Sequence, residues 1–351
     1  MGIDTIGGWP SVLRPLTEGR DLTVETAAAA MQEILAGNAS SAQIAAFIVA
    51  LRMKGETVDE MTGMVRAMYD AATPLDLGAY TDTAIDIVGA GGAPARQQAA
   101  LNVSTMACFV AAGAGATVCK HGNRKASSTS GSFDFLAAIG IPDDLPPATV
   151  ERCVREAGVG FAFARTFHPA MRFAAPVRAE IGVPTVFNIL GPLANPARLR
   201  RQVIGVGDVA QADKMIRVLQ ANGAHHVMVV TGDGPLDELA LTGPSQIHEL
   251  VDGSIRTYAI TPESVGLARV DTVAIDGGDA ARNAALFAAL LDGAAGPVRD
   301  IVALNAAAGL VVAGIATDLA RGVDAACVAI DSGAAAAAHQ RLLEVIAASV
   351  D

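Results

Sequence analysis

The chain has 351 residues, a formal net charge of −11, and 52% apolar but only 4% aromatic residues. This charge argues against nucleic acid or an anionic membrane surface as the main partner, so a site for an anion has to be a local basic pocket. The longest nearly uninterrupted apolar stretch, from Met106 to Cys119, is too short and too rich in glycine to span a bilayer.

Four cysteines are scattered along the chain without a close pair, and the first residues lack the basic and apolar segments of a secretory signal. These features favour reduced, buried thiols and a cytoplasmic protein.

The first part of the chain, up to residue 74, has a helical period. Thr23 and Ser40 are typical N-cap residues, and a capping box begins at Thr57. No strand pattern interrupts this region, which therefore predicts a small all-helical domain.

Beyond residue 79 the pattern changes to alternating strands and helices. Such alternation predicts a large domain with a mainly parallel central sheet flanked by helices. The predicted strands cover residues 83–88, 116–119, 203–206 and 226–230, and the helices among them cover 104–113, 130–139 and 210–222. Residues 246–250 and 255–260 are typical of an antiparallel hairpin, and the alanine-rich segments 283–291, 300–314 and 324–346 are typical of helices.

A glycine-rich loop, residues 89–94, directly follows the first predicted strand. Glycines let backbone N–H groups approach a phosphate closely, and the start of a helix favours an anion. Asn102, Ser104 and Thr105 place an amide and two hydroxyls at the next helix start. Plain N-capping by Asn102 or Ser104 is the simpler interpretation, and capping and ligand contact are compatible.

A dense polar turn follows the second strand, where Lys120 to Arg124 supply a cation, an imidazole, an amide and a guanidinium, with Ser127 and Ser128 behind them. Open α/β sheets bind ligands at the carboxyl ends of their strands. This turn suits a phosphorylated substrate, although a solvated loop is the simpler interpretation.

Adjacent carboxylates, Asp237 and Glu238, follow the strand that ends near Val230. Two hard oxygen donors completed by water and substrate phosphates are typical of Mg²⁺, whereas an acidic pair in a turn is usually just solvated. Arg178, on a predicted helix, is either a surface charge or a fork for a substrate carboxylate. His168 is more often a satisfied polar residue than a general base.

Taken together, these segments resemble the anthranilate phosphoribosyltransferase family over nearly the whole chain. The similar segments are 86–92, 102–105, 120–124, 168–169, 176–178, 187–196, 236–238 and 278–283. The runs Lys-His-Gly-Asn-Arg and Phe-Asn-x-Leu-Gly-Pro-Leu-x-Asn-Pro are highly specific in that order.

The resemblance implies a discontinuous helical domain, residues 1–74 plus about 149–181, and an α/β phosphoribosyltransferase domain, residues 79–148 and 182–351. It also implies a homodimer joined through the helical domains.

The implied reaction moves 5-phosphoribose from phosphoribosyl pyrophosphate (PRPP) to the amine of anthranilate, a step of tryptophan biosynthesis, with Mg²⁺ as cofactor. The residues implied to hold PRPP are Gly89, Gly91, Gly92, Asn102, Ser104, Thr105, Lys120 and Ser128. The metal site would consist of Ser104, Asp237 and Glu238. Those implied to line the anthranilate site are His121, Asn123, Arg178 and Gly191, with Arg178 facing the carboxylate.

The chain departs from the family in its first loop, which usually reads Gly-Thr-Gly-Gly-Asp-Gly. Ala90, Ala93 and Pro94 replace the threonine, the aspartate and the last glycine, and Pro235 replaces a further glycine. These changes lie on the PRPP side, and they leave two alternatives open. One is a divergent paralogue that uses another aromatic carboxylate or sugar phosphate, and the other is a non-catalytic binding protein.

Overall fold

The N-terminal part of the chain is helical in the computed structural model, which describes residues 2–91, 99–125 and 129–349. Its helices are α1 (Trp9–Thr17), α2 (Val24–Ala36), α3 (Ser41–Lys54) and α4 (Val58–Ala71). Thr23 caps α2, and capping boxes begin α3 at Ser40 and α4 at Thr57. The predicted helical domain and its three helix starts are confirmed.

A mixed sheet forms the centre of the remaining chain. Within the described residues its strands are β1 (Ile85–Gly89), β2 (Val118–Gly122), β3 (Val159–Phe163), β4 (Arg201–Gly205), β5 (His226–Thr231), β6 (Ser245–Val251) and β7 (Ser254–Ile260). Their order is β3-β2-β1-β4-β5-β6-β7. The first five run parallel, and β6 and β7 form the antiparallel hairpin at one edge. The expected mainly parallel sheet is confirmed.

Helices cover both faces of this sheet. They are α5 (Val103–Gly113), α6 (Ser132–Ala138), α7 (Pro147–Arg152), α8 (Ala164–Phe167), α9 (Ala175–Ile181), α10 (Phe187–Leu193), α11 (Val209–Ala221), α12 (Ala280–Leu291), α13 (Pro297–Val312), α14 (Leu319–Asp331) and α15 (Ala334–Ala347). One core joins α5 and the C-terminal helices to the sheet, and a second joins the N-terminal helices, α10 and α11 to its other face. The helical part therefore packs on one face of the sheet.

The expected second helical segment, about 149–181, needs correction in its first part. Residues 159–163 form β3, which pairs in parallel with β2 and so belongs to the sheet. The later residues do pack on the N-terminal helices, where Ala174 and Val177 enter their core. We propose that the helical domain takes up the chain again at about residue 164.

The C-terminal segment 324–346 also differs from the expected single helix. Gly333 adopts a φ of +76° and separates α14 from α15, as glycine commonly does just past the end of a helix. The alanine run beginning at Ala334 packs closely on α5, because a Cβ on Gly113 would lie 2.6 Å from the Ala335 nitrogen. Over the described residues, no helix is long and apolar enough to cross a membrane.

A candidate active site at the carboxyl edge of the sheet

The first loop leaves the carboxyl end of β1 and contacts the acidic turn that follows β5. The Ala90 N–H donates to the Gly205 carbonyl, and the Gly91 N–H donates to Asp237 Oδ2 at 2.8 Å. Gly91 has a φ of +73°, a conformation that glycine adopts without strain. The expected phosphate-binding Gly92 and the substitutions Ala93 and Pro94 lie outside the described residues, as do Ser127 and Ser128.

Glycines at the ends of three strands make room for the acidic turn. A Cβ on Gly89 would lie 2.6 Å from Asp237 Oδ2, and one on Gly205 would lie 1.7 Å from the Asp237 carbonyl oxygen. A Cβ on Gly232 would lie 2.3 Å from the Glu238 carbonyl oxygen. Glycine at these positions lets the backbone of Asp237 and Glu238, together with the Asp237 carboxylate, lie against the carboxyl ends of β1, β4 and β5.

Lys120 lies on β2 with its side chain only 2% exposed. Its ammonium donates to the Ile87 carbonyl on β1 and, at 3.2 Å, to Ser104 Oγ near the start of α5. Two residues that sequence reasoning assigned to a phosphate site are therefore in direct contact. Thr105, the next residue on α5, is buried.

Asn102 is the N-cap residue of α5, but its side chain makes no capping hydrogen bond. Its Oδ1 instead accepts hydrogen bonds from Ser130 Oγ at 2.8 Å and Asn283 Nδ2 at 2.7 Å. The capping interpretation is wrong for this side chain, which joins three distant segments of the chain beside the start of α5.

His121 follows Lys120 and, because side chains alternate along a strand, points to the opposite face of the sheet. Its Nδ1 lies 3.2 Å from the Gly191 carbonyl oxygen, an acceptor, so Nδ1 carries the proton. Burial lowers the pKa of His121 to about 3, and the His168 ring, 5.1 Å away, adds to this effect. The ring is therefore neutral. His168 donates from Nε2 to the Ala194 carbonyl, and burial lowers its pKa as well.

The end of α10 is held by buried side chains from several elements. Its consecutive carbonyls accept hydrogen bonds from His121, Gln202, Tyr69 and His168, in that order from Gly191 to Ala194. The last carbonyls of a helix need partners outside it. Because Tyr69 belongs to α4, these bonds also connect the helical part to the site.

Sequence reasoning gave Asp86 and Asn195 no role, yet both are fully buried beneath His121. Asp86 Oδ2 accepts from Asn195 Nδ2 at 2.9 Å and from the His121 N–H at 3.3 Å. Burial raises the pKa of Asp86 to about 6, against the lowering effect of Lys120. The sequence did offer one indication of this buried group, because Asp86 is the single carboxylate inside the apolar strand Ile85–Val88.

Arg178, on α9, lies near the other end of α10. Its guanidinium carbon lies 5.3 Å from the centre of the Phe187 ring, and burial lowers its pKa. Within the described part of the chain, no carboxylate lies within ion-pair distance of it. A Cβ on Gly191 would meet nothing within 4 Å, so there is open space beside α10. Arg178 thus pairs with no carboxylate of the described chain, and there is open space beside α10. Together these two features suit the carboxylate of a ligand.

Two other residues of the polar turn are placed differently from expectation. Arg124 forms ion pairs with Asp134 at 3.2 Å and Asp143 at 2.6 Å, which raise its pKa, so its charge is already paired rather than available to a phosphate. Asn123 is exposed, and its Oδ1 accepts from the Arg124 N–H.

The donor set expected for Mg²⁺ contains only oxygen. Among the described residues no group of three or more His, Cys, Asp and Glu side chains could hold a metal ion. The Asp237 carboxylate lies at the end of β1, and the Ser104 hydroxyl lies beside Lys120, whose ammonium bonds to the Ile87 carbonyl of the same strand. Carboxylate and hydroxyl oxygens completed by phosphates and water are ligands typical of Mg²⁺.

Family comparisons match nearly the whole chain. A family described as "Glycosyl transferase family, helical bundle domain" matches residues 10–72, and "Glycosyl transferase family, a/b domain" matches residues 81–336. The anthranilate phosphoribosyltransferase of Chloroflexus aggregans is 51% identical over 93% of this chain and 95% of its own length.

Solved structures show the same fold. The anthranilate phosphoribosyltransferase of Thermus thermophilus is 42% identical with a TM-score of 0.89, over 95% of this chain and 99% of its own. The enzyme of Saccharomyces cerevisiae, solved in complex with PRPP and Mg, is 23% identical with a TM-score of 0.88, over 97% of this chain and 98% of its own.

Proposed function

Because the chain belongs to the anthranilate phosphoribosyltransferase family, we propose that it transfers 5-phosphoribose from PRPP to the amine of anthranilate and releases pyrophosphate, as in tryptophan biosynthesis. One observation carries this proposal. β2 places a buried lysine on one face of its carboxyl end and a neutral histidine on the other. The Ser104 hydroxyl lies beside the lysine, whereas Arg178 and open space lie near α10 on the histidine side.

The PRPP side of the site is built around Lys120. Its ammonium and the Ser104 hydroxyl supply charge and a donor to the phosphates, and the loop amides supply further donors. The full proposed set is Gly89, Gly91, Gly92, Asn102, Ser104, Thr105, Lys120 and Ser128.

Ser104, Asp237 and Glu238 are the proposed ligands of Mg²⁺, and the yeast relative solved with PRPP and Mg supports this assignment. When bound, the ion would neutralise the charge that builds up on the departing pyrophosphate. The Gly91 N–H already bound to Asp237 orients that carboxylate toward the loop.

The anthranilate side consists of His121, Asn123, Arg178 and Gly191, with the Arg178 guanidinium facing the carboxylate. The amine nitrogen bonds to the anomeric carbon as the bond from that carbon to pyrophosphate breaks, and pyrophosphate leaves with the electron pair. The proton lost from the amine passes to the released pyrophosphate or to water. An aromatic amine is a neutral nucleophile, so holding it against the sugar carbon supplies much of the rate enhancement without a strong base.

A homodimer through the helical part is also proposed. The outer side of α3 is apolar, with Val49 exposed and Met53 83% exposed, and Val183 after α9 is exposed too. Such unpaired apolar residues on one surface suit an interface with a second copy. The four cysteines are free thiols, three of them buried, which supports work in the reducing cytoplasm.

A fluorescence assay tests the activity, because anthranilate loses its fluorescence when it is consumed. We expect the purified chain to consume anthranilate only when PRPP and Mg²⁺ are both present. Lys120→Met should lower kcat/KM for PRPP about 100-fold, by analogy with the loss of one charge-stabilising donor. Arg124→Gln is the matched control, with a much smaller effect, because Arg124 is paired with two carboxylates. No turnover at saturating PRPP, anthranilate and Mg²⁺ would reject the proposal.

A further inference from the structure

Asn283, in the first turn of α12, is fully buried and uses its whole side-chain amide for hydrogen bonds. Its Oδ1 accepts from the Gly278 N–H at 3.2 Å. Its Nδ2 donates one hydrogen to the Ala100 carbonyl at 2.8 Å and the other to Asn102 Oδ1 at 2.7 Å. These bonds join α12 to the segment that leads into α5, and the proposed substrate sites do not include Asn283.

The backbone decides which way both amides face. The Gly278 N–H is a donor and the Ala100 carbonyl is an acceptor, so Asn283 has to turn its oxygen to the first and its nitrogen to the second. The Asn102 atom that meets this nitrogen is therefore its oxygen. Ser130 Oγ also donates to that oxygen, at 2.8 Å. Asn102 Nδ2 donates one hydrogen to the Ser130 carbonyl at 3.4 Å, and its second hydrogen has no acceptor among the described residues.

A glycine allows the close approach of these two segments. The Gly277 N–H donates to the Ala99 carbonyl at 3.0 Å. A Cβ on Gly277 would lie 2.4 Å from the Ala100 carbonyl oxygen and 2.6 Å from Asn283 Oδ1. A side chain at this position would push α12 away from the segment before α5. The backbone is thus adapted to the same contact that Asn283 makes.

We propose that Asn283 is a positioning residue for PRPP, because it fixes the Asn102 amide so that Nδ2 donates its second hydrogen to a phosphate oxygen. This inference rests on the proposed function, which places Asn102 in the PRPP site. A reversed Asn102 amide would present an oxygen to a negatively charged oxygen and repel it. An amide held in advance also avoids the cost of ordering it when the ligand binds.

Calorimetric titration with PRPP and Mg²⁺ tests this role, and no transfer occurs because anthranilate is absent. Asn283→Asp keeps the acceptor for Gly278 but loses both hydrogens that hold the Ala100 and Asn102 oxygens, so the Asn102 amide should turn over. We expect the dissociation constant of PRPP to rise about 10-fold or more, the range for a hydrogen bond to a charged group. KM for anthranilate at saturating PRPP should stay nearly unchanged.

A double-mutant cycle separates positioning through Asn102 from plain support of the backbone. Asn102→Ala should weaken PRPP binding by a similar factor. Adding Asn283→Asp to it should weaken binding little further, because the side chain on which Asn283 acts is gone. Losses that multiply would show that Asn283 acts through the backbone near Ala100, and would overturn the proposal.

Asn305, on α13, supplies the matched control. It is 3% exposed, and its amide also makes three hydrogen bonds, one from the Leu239 N–H and two to the Leu239 and Ile301 carbonyls. It forms no hydrogen bond with Asn102 in the described chain. Whatever effect Asn305→Asp has on PRPP binding should therefore multiply with that of Asn102→Ala. Coupling as strong as that of Asn283 would indicate a general loss of packing and contradict the proposal.

Asn283→Ser covers the case in which a buried carboxylate prevents folding, because it shortens the side chain without adding a charge. It should weaken PRPP binding about 3- to 10-fold, the range for a neutral hydrogen bond. A wild type that binds PRPP, with unchanged binding in the folded Asn283 variants, would overturn this inference alone. A wild type that neither binds PRPP nor consumes anthranilate with it would reject the proposed function as well.

Discussion

His121 makes the folded protein sensitive to acid at the scale of one residue. Burial lowers its pKa to about 3, whereas the unfolded chain has the ordinary value near 6.5. Between these values the unfolded state binds a proton that the folded state does not, so stability falls as the pH drops below about 6.5. At pH 5 this one group removes about 2 kcal/mol of the free energy of unfolding.

Urea unfolding at pH 7 and pH 5 measures this effect. The wild type should lose about 2 kcal/mol more than His121→Asn between the two conditions, because asparagine does not titrate. The difference between the two proteins cancels the contributions of titrating groups that do not interact with His121. Equal losses would show that His121 titrates normally in the folded protein.

We propose that Arg178 binds the carboxylate of the acceptor substrate. It forms no ion pair in the described chain, and its guanidinium lies 5.3 Å from the centre of the Phe187 ring, so its removal breaks no internal ion pair. Arg178→Gln should raise KM for anthranilate about 10- to 100-fold, the range for hydrogen bonds to a charged group, and leave KM for PRPP nearly unchanged.

A matched control lies on the same segment. Arg172 is placed over the Phe173 ring at 4.5 Å, much as Arg178 is placed over Phe187, but it is exposed and donates to the Pro169 carbonyl. Arg172→Gln should leave both KM values unchanged. Similar effects from the two substitutions would point to a general electrostatic role rather than a carboxylate fork.

At the scale of elements, the turn between β5 and the acidic pair carries backbone strain. Pro235 has a φ of +28°, whereas its ring favours a φ near −65°. Strain of this kind costs about 1–3 kcal/mol, and a glycine at this position would relieve it at the expense of a more flexible unfolded chain. Pro235→Gly should therefore raise the free energy of unfolding by about 1 kcal/mol.

The neighbouring glycine provides a control of opposite sign. Gly234 has a φ of +70°, where a side chain costs about 1–2 kcal/mol, so Gly234→Ala should lower the stability. Both variants are compared by denaturant unfolding. If Pro235→Gly were no more stable than the wild type, the positive φ of Pro235 would carry no net strain.

Most elements follow from local signals in the sequence. Capping residues and alternating apolar runs located α2, α3, α4 and the hairpin of β6 and β7, because these signals depend only on nearby residues. β3 was missed, since an apolar run of five residues after Gly158 has no period that separates a strand from a helix. Only its pairing with β2 makes it a strand.

The sequence predicted those parts of the site in which residues meet at the ends of parallel strands. It did not predict the residues whose role depends on an ion-pair or hydrogen-bond partner elsewhere in the chain. Parallel strands bring Lys120 near Ser104 and Gly91 near Asp237, as the sequence pattern indicated. The ion pairs of Arg124 could not be foreseen, because they depend on Asp143 across a loop. The position of Asp86 beneath His121 likewise depends on the packing of β1 against β2.

At the scale of the whole molecule, the outer side of α3 decides how two chains can associate. Residues on its inner side, such as Phe47 and Leu51, are buried. On its outer side Val49 and Met53, four residues apart, form an exposed apolar stripe. A charge placed within such an interface is buried without a partner and opposes association. Met53→Lys should therefore weaken the proposed dimer about 100-fold or more, as the loss of a central contact does.

Val328 supplies the matched control, because it is an apolar helix residue, 65% exposed, on α14 in the α/β part. Sedimentation equilibrium should show dimers for the wild type and Val328→Lys, and mainly monomers for Met53→Lys at the same concentration. Because the proposed site residues and Tyr69 behind α10 all lie on the same chain, we expect the monomer to keep its PRPP-dependent activity. Dimers of unchanged strength in Met53→Lys would place the interface away from α3.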